Sequence, residues 1–224
     1  MKESKTPPVE NKMGTMPIMK LILNMSLPMM FSMLVMALYN IVDSIFVAKI
    51  NEDALTAVTI AFPVQNLMLS FAAGTGVGMN ALLSKRLGQK NQHDVNKTAM
   101  NGAFLALCNY ALFLTAGIAL SRPYLASQIV SEKIIAYGTE YLDIVLVMSF
   151  ALFFGITFDR LLQSTGRTIY TMYSQLSGAA FNIIFDPLLI FGIGPFPEMG
   201  IRGAALATVL GQLLGLCVSL FFNF

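Results

Sequence analysis

The chain has 224 residues, of which 56% are hydrophobic and only 12% are charged. A soluble domain carries about 25% charged residues, so this composition excludes an ordinary soluble protein and indicates a membrane protein. The formal net charge of +2 gives no sign of a nucleic-acid partner, and the partner we expect is the lipid bilayer.

Long apolar segments predict the architecture. A helix needs about 20 apolar residues to cross the hydrocarbon core. The sequence predicts a polar cytoplasmic tail over residues 1–20, followed by a six-helix transmembrane lobe over 21–224, with helices at about 21–48, 54–84, 98–121, 134–158, 168–193 and 203–224. Residues 123–133 are predicted to form an interfacial turn or short helix, and 160–167 a polar loop. The predicted fold class is therefore an all-α membrane protein, a six-transmembrane-helix bundle.

Lysine and arginine residues predict the orientation, because they are enriched in cytoplasmic loops. With the N-terminus in the cytoplasm, ten of them fall inside, and those outside are Lys49, Arg122, Lys133 and Arg202. We therefore expect both termini to be cytoplasmic. In this orientation the acidic residues of the first and fifth predicted spans lie at a similar depth, toward the outer ends of their helices.

Those acidic residues are the strongest functional signal. Asp43 lies in the first span and Asp186 in the fifth. An ionisable side chain inside a membrane span is costly and is usually functional. Asn182 shares a helix face with Asp186, and Pro187 deprives the carbonyl of Ile183 of its helical partner. The alternative is that each aspartate lies incidentally near the membrane surface.

Two carboxylates in one pocket repel each other, and either a proton or a bound sodium ion relieves that repulsion. Hard cations take oxygen ligands from carboxylate, amide, hydroxyl and carbonyl groups. Nearby candidates are Tyr39, on the face of Asp43, and Thr208 in the sixth span, with Ala204 one turn earlier. Pro28 interrupts the first span, either as a simple kink or as a hinge. These residues do not decide between Na⁺ and H⁺.

Four stretches carry a resemblance to a known family: residues 38–48, 163–167, 182–187 and 200–208. They resemble the N-terminal half of a prokaryotic MATE (multidrug and toxic compound extrusion) transporter, and the similarity runs from about residue 16 to the end. The resemblance implies a protein of twelve helices in two six-helix lobes, with a substrate cavity between the lobes. It also implies a location in the bacterial or archaeal plasma membrane.

The resemblance further implies roles for individual residues. The cation or proton would be bound by Asp43, Asn182, Asp186, Thr208 and the backbone of Ala204. Tyr39 would join the hydrogen-bond network, and Pro28 would be the bend of the first helix. The implied function is drug/Na⁺ or drug/H⁺ antiport of organic, often cationic, compounds. No catalytic residues and no cofactor other than the coupling ion are expected, so the protein is not expected to be an enzyme.

Other interpretations stay open. The chain ends at Phe224, where the family continues into a second lobe. We therefore expect it to pair with a missing C-terminal lobe, with itself or with a second chain, or to be an inactive fragment. A lipid-linked saccharide flippase of the same superfamily would be favoured by cationic residues in the cavity, and the first, second, third and sixth spans have no internal Lys or Arg. An intramembrane aspartyl protease needs a Gly-x-Gly-Asp loop, whereas Pro195 follows Gly192-Ile193-Gly194.

Overall fold

The computed structural model describes residues 16–224, and this part of the chain forms seven helices. They are α1 (Ile18–Ala48), α2 (Glu52–Gly88), α3 (Gln92–Gln128), α4 (Glu132–Val147), α5 (Phe150–Ser164), α6 (Thr168–Phe191) and α7 (Ile201–Asn223). Residues 1–15 of the predicted tail lie outside the described residues. The last residues of that predicted tail, from Ile18 onward, belong to α1.

Six membrane crossings account for these seven helices. Helices α1, α2, α3, α6 and α7 are each long and apolar enough to span a membrane. Helices α4 and α5 pass the same test only together, as one span bent by 45°. The break falls at Met148 and the fully buried Ser149. The predicted six-helix bundle is therefore confirmed, with a fourth span that is bent rather than continuous.

Several helices extend beyond their predicted ends. Helix α3 continues through Pro123 to Gln128, so the predicted interfacial segment is largely the last part of a long helix. Helix α5 continues to Ser164, which places Arg160 in a helix and not in the predicted polar loop. A helix can continue beyond the hydrocarbon core of the membrane, where charged residues are tolerated. The ends of such a helix are therefore set by its capping residues and not by the first charged residue. At Asn91 the side chain accepts a hydrogen bond from the Asp94 backbone N–H and begins α3.

Helices α6 and α7 form the closest pair in the bundle. A Cβ atom at Gly203 would lie 2.5 Å from the carbonyl oxygen of Leu189, and one at Gly178 would lie 2.8 Å from that of Gly211. Small residues at both places let the two backbones approach. Helix α6 then ends at Gly192, whose left-handed conformation (φ 67°) favours glycine. The close contact fixes the register between the predicted site residues on α6 and those on α7.

Helices α4, α5 and α7 supply much of the buried interior of the bundle, and α1 lies at its edge. The largest fully buried apolar side chains include Phe153 of α5 and Leu142 of α4. Helix α1 packs chiefly on α6 and touches α2 only sparsely. Its outer surface exposes large apolar side chains such as Ile22, Leu27 and Phe31. Such a surface fits lipid or a second apolar partner.

Ion pairs join the helix ends. Lys133 and Asp53 meet at 2.7 Å, and Arg202 and Glu140 at 2.8 Å, all at the end of the bundle where α1 finishes and α2 begins. At the opposite end, Arg86 and Asp94 form an ion pair of 3.3 Å across the turn between α2 and α3. These pairs are partly exposed and contribute little to stability. They do fit an antiparallel order in which successive spans alternate in direction.

Candidate cation-binding site

The two aspartates, hereafter the aspartate pair, lie at the same level of the bundle. Asp43 is five residues before the end of α1 at Ala48, and Asp186 is five residues before the end of α6 at Phe191. Both helices run in the same direction and pack against each other. Five residues correspond to about 7.5 Å of helix. The similar depth predicted from the sequence is therefore present in the structure.

Three of the four carboxylate oxygens of this pair are buried and lack a hydrogen-bond partner among residues 16–224. Asp186 is 0% exposed, and neither of its carboxylate oxygens has a hydrogen-bond partner among the described residues. Oδ1 of Asp43 and Oδ1 of Asn182 are likewise buried without a partner in that part of the chain. The Asn182 amide instead donates to the carbonyl of Gly178, 3.1 Å away. A buried polar atom without a partner is unfavourable and is usually explained by a bound ion, water or proton.

The two carboxylates lie at one level on two helices that pack against each other. Helix α1 brings Asp43 against α6, and Asp43 is only partly buried while Asp186 is fully enclosed. Two like charges in a medium of low polarity repel strongly. A proton or a cation at this position would remove that repulsion.

Three further predicted residues lie near the aspartate pair, one on α1 and two on α7. The hydroxyl groups of Tyr39 and Thr208 are 3.5 Å apart, and both side chains are buried. Ala204 is 1% exposed and lies one turn before Thr208 on α7. The charges of Asp43 and Asp186 both act at the Tyr39 hydroxyl. The structure thus gathers these predicted residues around the acidic side chains. The resulting group, hereafter the cluster, includes Tyr39, Asp43, Asn182, Asp186, Ala204 and Thr208.

Pro28 is separate from this group. It lies inside α1, fifteen residues before Asp43, which is about 22 Å along the helix axis. Helix α1 is continuous from Ile18 to Ala48. The Ser32 hydroxyl donates to the carbonyl of Pro28 at 3.0 Å. Pro28 is therefore not part of the cluster, and any effect on the site would have to pass along α1.

Two residues of the cluster were missed in the sequence. Tyr141 of α4 is 3% exposed, and its hydroxyl accepts a hydrogen bond of 2.7 Å from the side-chain amide of Gln65. The charges of Asp43 and Asp186 act at this hydroxyl too. The available signal was weak, because a tyrosine near the start of a span is common at membrane surfaces.

Close packing fixes the amide of Asn182. A Cβ atom at Gly211 of α7 would collide with the amide nitrogen of Asn182 and would lie 2.9 Å from the Gly178 carbonyl oxygen. Only a residue without a side chain fits against the amide at this point. The free oxygen of Asn182 is therefore held in place by helix packing rather than by a partner of its own.

A cavity of about 500 Å³ adjoins the cluster and is lined by α1, α2, α5, α6 and α7. Tyr39 and Asn182 line it, so it reaches the residues around the aspartate pair. Met29, Met33 and Met36 of α1 supply an apolar wall. This volume falls in the range of small-molecule sites. The family resemblance implied a substrate cavity between two lobes, whereas this cavity lies among helices of the one lobe described.

The donors present suit a hard cation or a proton. Within residues 16–224 there is no group of three or more histidine, cysteine, aspartate or glutamate side chains arranged to hold a metal ion. The cluster instead offers carboxylate, amide and hydroxyl oxygens. Oxygen ligands of this kind bind hard cations such as sodium, whereas transition metals prefer nitrogen and sulfur.

The fold defines the class of protein: a multi-pass α-helical membrane protein in which apolar helices surround a pair of buried acidic side chains. The sequence model of the MatE family matches residues 28–188, which is more than half of the chain. The chain belongs to this family. The resemblance to half of a MATE transporter, predicted from four short stretches, is thereby confirmed.

Individual relatives agree with this assignment. The chain is 30% identical over 203 residues to the FAD transporter of Shewanella oneidensis, covering 91% of this chain and 45% of that protein. It is 27% identical over 212 residues to the multidrug export protein MepA of Staphylococcus haemolyticus, covering 92% and 45%. A crystal structure of MATE in the straight conformation superposes with a TM-score of 0.85 at 27% identity, covering 92% and 45%. The chain thus spans about half the length of the relatives it matches.

Proposed function

We propose that this chain forms one lobe of a cation-coupled antiporter that exports organic, often cationic, compounds, and that it is not an enzyme. The observation that carries the proposal is the set of four buried oxygens without partners on Asp43, Asn182 and Asp186. The name of the relative MepA supports export of drug-like compounds. The cavity beside these oxygens is large enough to hold a small organic molecule.

The coupling ion, Na⁺ or H⁺, would bind at Asp43, Asn182, Asp186 and Thr208, with the backbone of Ala204. Binding removes the repulsion within the aspartate pair, so α1 and α6 can approach each other. Because α1 packs mainly on α6 and only sparsely on α2, a movement of α1 disturbs little of the remaining bundle.

Movement of α1 would change the cavity, because α1 supplies one of its walls. Pro28 leaves one carbonyl of α1 without its helical hydrogen bond, which makes this the easiest place for the helix to bend. A bend there would shift the methionine wall and expel the substrate. Rocking of one bundle against another completes such a cycle in many transporters.

This lobe requires a partner, in our proposal, for transport. The exposed apolar surface of α1 would face lipid or a second lobe, which is either a C-terminal half or another chain. The start of α1 and the end of α7 lie on the same side, because the number of crossings is even. The excess of lysines and arginines on the side of the N-terminus, ten against four in the sequence, supports cytoplasmic termini in a prokaryotic plasma membrane.

The test is transport by everted membrane vesicles that contain the chain together with a second lobe, either another copy of the chain or a C-terminal half. Ethidium accumulation is followed by fluorescence while a Na⁺ gradient or a pH gradient is imposed separately. We expect accumulation to depend on one of these gradients and to be lost in both Asp43→Asn and Asp186→Asn, at equal protein levels. The variant Asp143→Asn, an acid of α4 outside the cluster, serves as the control. Coupled transport that survives in both variants would contradict the proposal.

A second candidate function follows from Arg160. The four spans examined in the sequence contain no internal lysine or arginine, but Arg160 of α5 lines the cavity. A cationic side chain there favours a substrate with an anionic group, such as a lipid-linked saccharide, or FAD, the compound for which one relative is named. Release of FAD, but not ethidium efflux, from cells expressing the chain would favour this candidate.

A further inference from the structure

A second cavity, of about 570 Å³, lies at the end of the bundle where α1 finishes. It is formed by the turn between α1 and α2, by α4, and by the loop from α6 into the start of α7. Its polar lining residues are Asn51, Tyr137, Glu140, Glu198 and Arg202. Two of them, Glu198 and Arg202, are exposed, so this outer pocket opens to solvent. Among residues 16–224 it shares no lining residue with the cavity of about 500 Å³.

The outer pocket lies over the helix faces that carry the cluster. On α4, Tyr137 lines the pocket, and Tyr141 lies one turn deeper on the same face, where the charges of the aspartate pair act. On α7, Ile201 lines the pocket and Ala204 lies three residues deeper. One turn of helix is about 5.4 Å long. The floor of the pocket is therefore about one turn from the cluster on both helices.

The loop between α6 and α7 is fixed over the fully enclosed carboxylate. The backbone N–H of Gly200 donates a hydrogen bond of 3.1 Å to the carbonyl of Ile190. Ile190 is four residues after Asp186 on α6, or about 6 Å along the helix. The loop that carries Glu198 therefore lies against α6 one turn beyond Asp186.

A thin apolar layer separates the outer pocket from the aspartate pair. Ile201 is 3% exposed, Ile190 is 1% exposed and Val47 is 0% exposed. Val47 is four residues after Asp43, on the same face of α1. A bare cation is strongly disfavoured among apolar side chains. The layer would therefore hold an ion in the site until these side chains move aside.

The charge of the outer pocket suits a cation. The Arg202 guanidinium pairs with Glu140 at 2.8 Å, whereas Glu198 forms no ion pair within residues 16–224. Neither lysine at this end of the bundle, Lys49 or Lys133, lines the pocket. The lining side chains thus carry one net negative charge. A cleft with such a charge raises the local concentration of cations and their rate of arrival.

We propose that the coupling cation reaches the aspartate pair from the outside through the outer pocket, past Ile201, and not through the cavity lined by the methionines of α1. The inference rests on the proposed function, because it presumes that the aspartate pair binds the ion. Separate entrances let the ion bind while an organic compound still occupies the cavity.

The test measures the rate of ion binding to the purified chain in detergent by stopped-flow mixing. Tyrosine fluorescence is the signal, because Tyr39 and Tyr141 adjoin the aspartate pair and the sequence contains no tryptophan. Na⁺ is added in one series, and the pH is lowered in another. We expect binding to slow about threefold in Glu198→Gln and about tenfold in Glu198→Lys, since a unit charge about 7 Å away in water changes the local cation concentration about threefold.

Two further readouts separate an entrance from a structural role. The rise in melting temperature with Na⁺, which reports affinity, should change little in the Glu198 variants, because the pocket lies above the site. The slowing should fade when choline chloride raises the ionic strength, because salt screens the charge. Ile201→Ala, which thins the apolar layer, should speed binding and release by the same factor and leave the affinity unchanged.

Three variants are matched controls. Glu132→Gln removes an exposed acid of the same end that does not line the pocket, and Ile193→Ala shortens an exposed isoleucine of the same loop. Leu69→Lys places one positive charge in the other cavity. All three should bind the ion at the rate of the unmodified chain, and melting curves establish that every variant is folded.

A binding rate that neither Glu198 substitution changes would overturn the inference and leave the proposed function standing. Slowing by Leu69→Lys alone would do the same, and would place the entrance in the methionine-lined cavity. If the unmodified chain gave no signal with Na⁺ or with acid, the proposed function and the inference would both fail.

Discussion

The substitution Asp186→Asn tests the coupling-ion site most directly, because it can be read out as stability without transport. In the absence of Na⁺, the unmodified chain keeps a fully enclosed carboxylate whose oxygens have no hydrogen-bond partner among residues 16–224. The amide that replaces it has no charge and can donate to the free oxygen of Asp43. We expect the variant to be more stable than the unmodified chain in Na⁺-free buffer, by about 2 kcal/mol, the cost of leaving such a group unsatisfied.

Addition of Na⁺ should reverse this order. A ligand present at about 100 times its dissociation constant stabilises the folded state by about 2.7 kcal/mol. For a chain of this size, that corresponds to a rise in melting temperature of roughly 5–11 °C. The variant lacks a charged ligand for the ion, so its melting temperature should not depend on Na⁺. If the coupling ion is H⁺, the same contrast should appear on lowering the pH instead.

The assay is thermal unfolding followed by far-ultraviolet circular dichroism, since the sequence contains no tryptophan. Na⁺ is exchanged for choline at constant ionic strength, so that screening of the surface ion pairs stays the same. The control Asp143→Asn removes an acid of α4 that lies outside the cluster. An Asp186→Asn chain stabilised by Na⁺ or by acid to the same extent as the unmodified chain would refute the reasoning.

Three further outcomes are expected, each measured by the same melting experiment. Gly211→Ala should destabilise the chain by about 1–3 kcal/mol, because the new methyl group overpacks the contact with Asn182; an unchanged melting temperature would contradict the packing argument. Tyr141→Phe should cost about 1–3 kcal/mol by leaving the Gln65 amide without its acceptor, and Gln65→Leu added to it should recover part of the loss. Arg202→Gln breaks only an exposed ion pair, so the melting temperature should stay the same. A measurable fall would show that this pair contributes more to stability than its exposure suggests.

The sequence by itself determined the class of protein and indicated two acidic residues for the candidate site. Apolar segments long enough to cross a membrane, with few charges among them, are compatible with little else than spanning helices. An acid inside such a segment is costly, so Asp43 and Asp186 stood out without any tertiary information. The spacing of Asn182 and Asp186 placed them on one helix face because the helical repeat is fixed.

Helix ends and breaks were less accessible from sequence. A charged residue after an apolar segment is equally compatible with a loop and with a helix that projects beyond the hydrocarbon. This ambiguity concealed Arg160 in a predicted loop and left Asp159 unnoticed beside it. The break at Met148 and Ser149 has no proline or glycine to signal it, so it depends on how α4 and α5 pack against their neighbours.

Only the tertiary structure decided which helices meet. Nothing in the spacing of residues along the chain requires α1 to pack on α6, yet this contact brings Asp43 to Asp186. The same holds for Gln65 and Tyr141, and for the cavity that five helices line beside the aspartate pair. Local periodicity fixes what lies on one face of a helix, whereas contacts between distant segments depend on the shapes of all the faces that pack together.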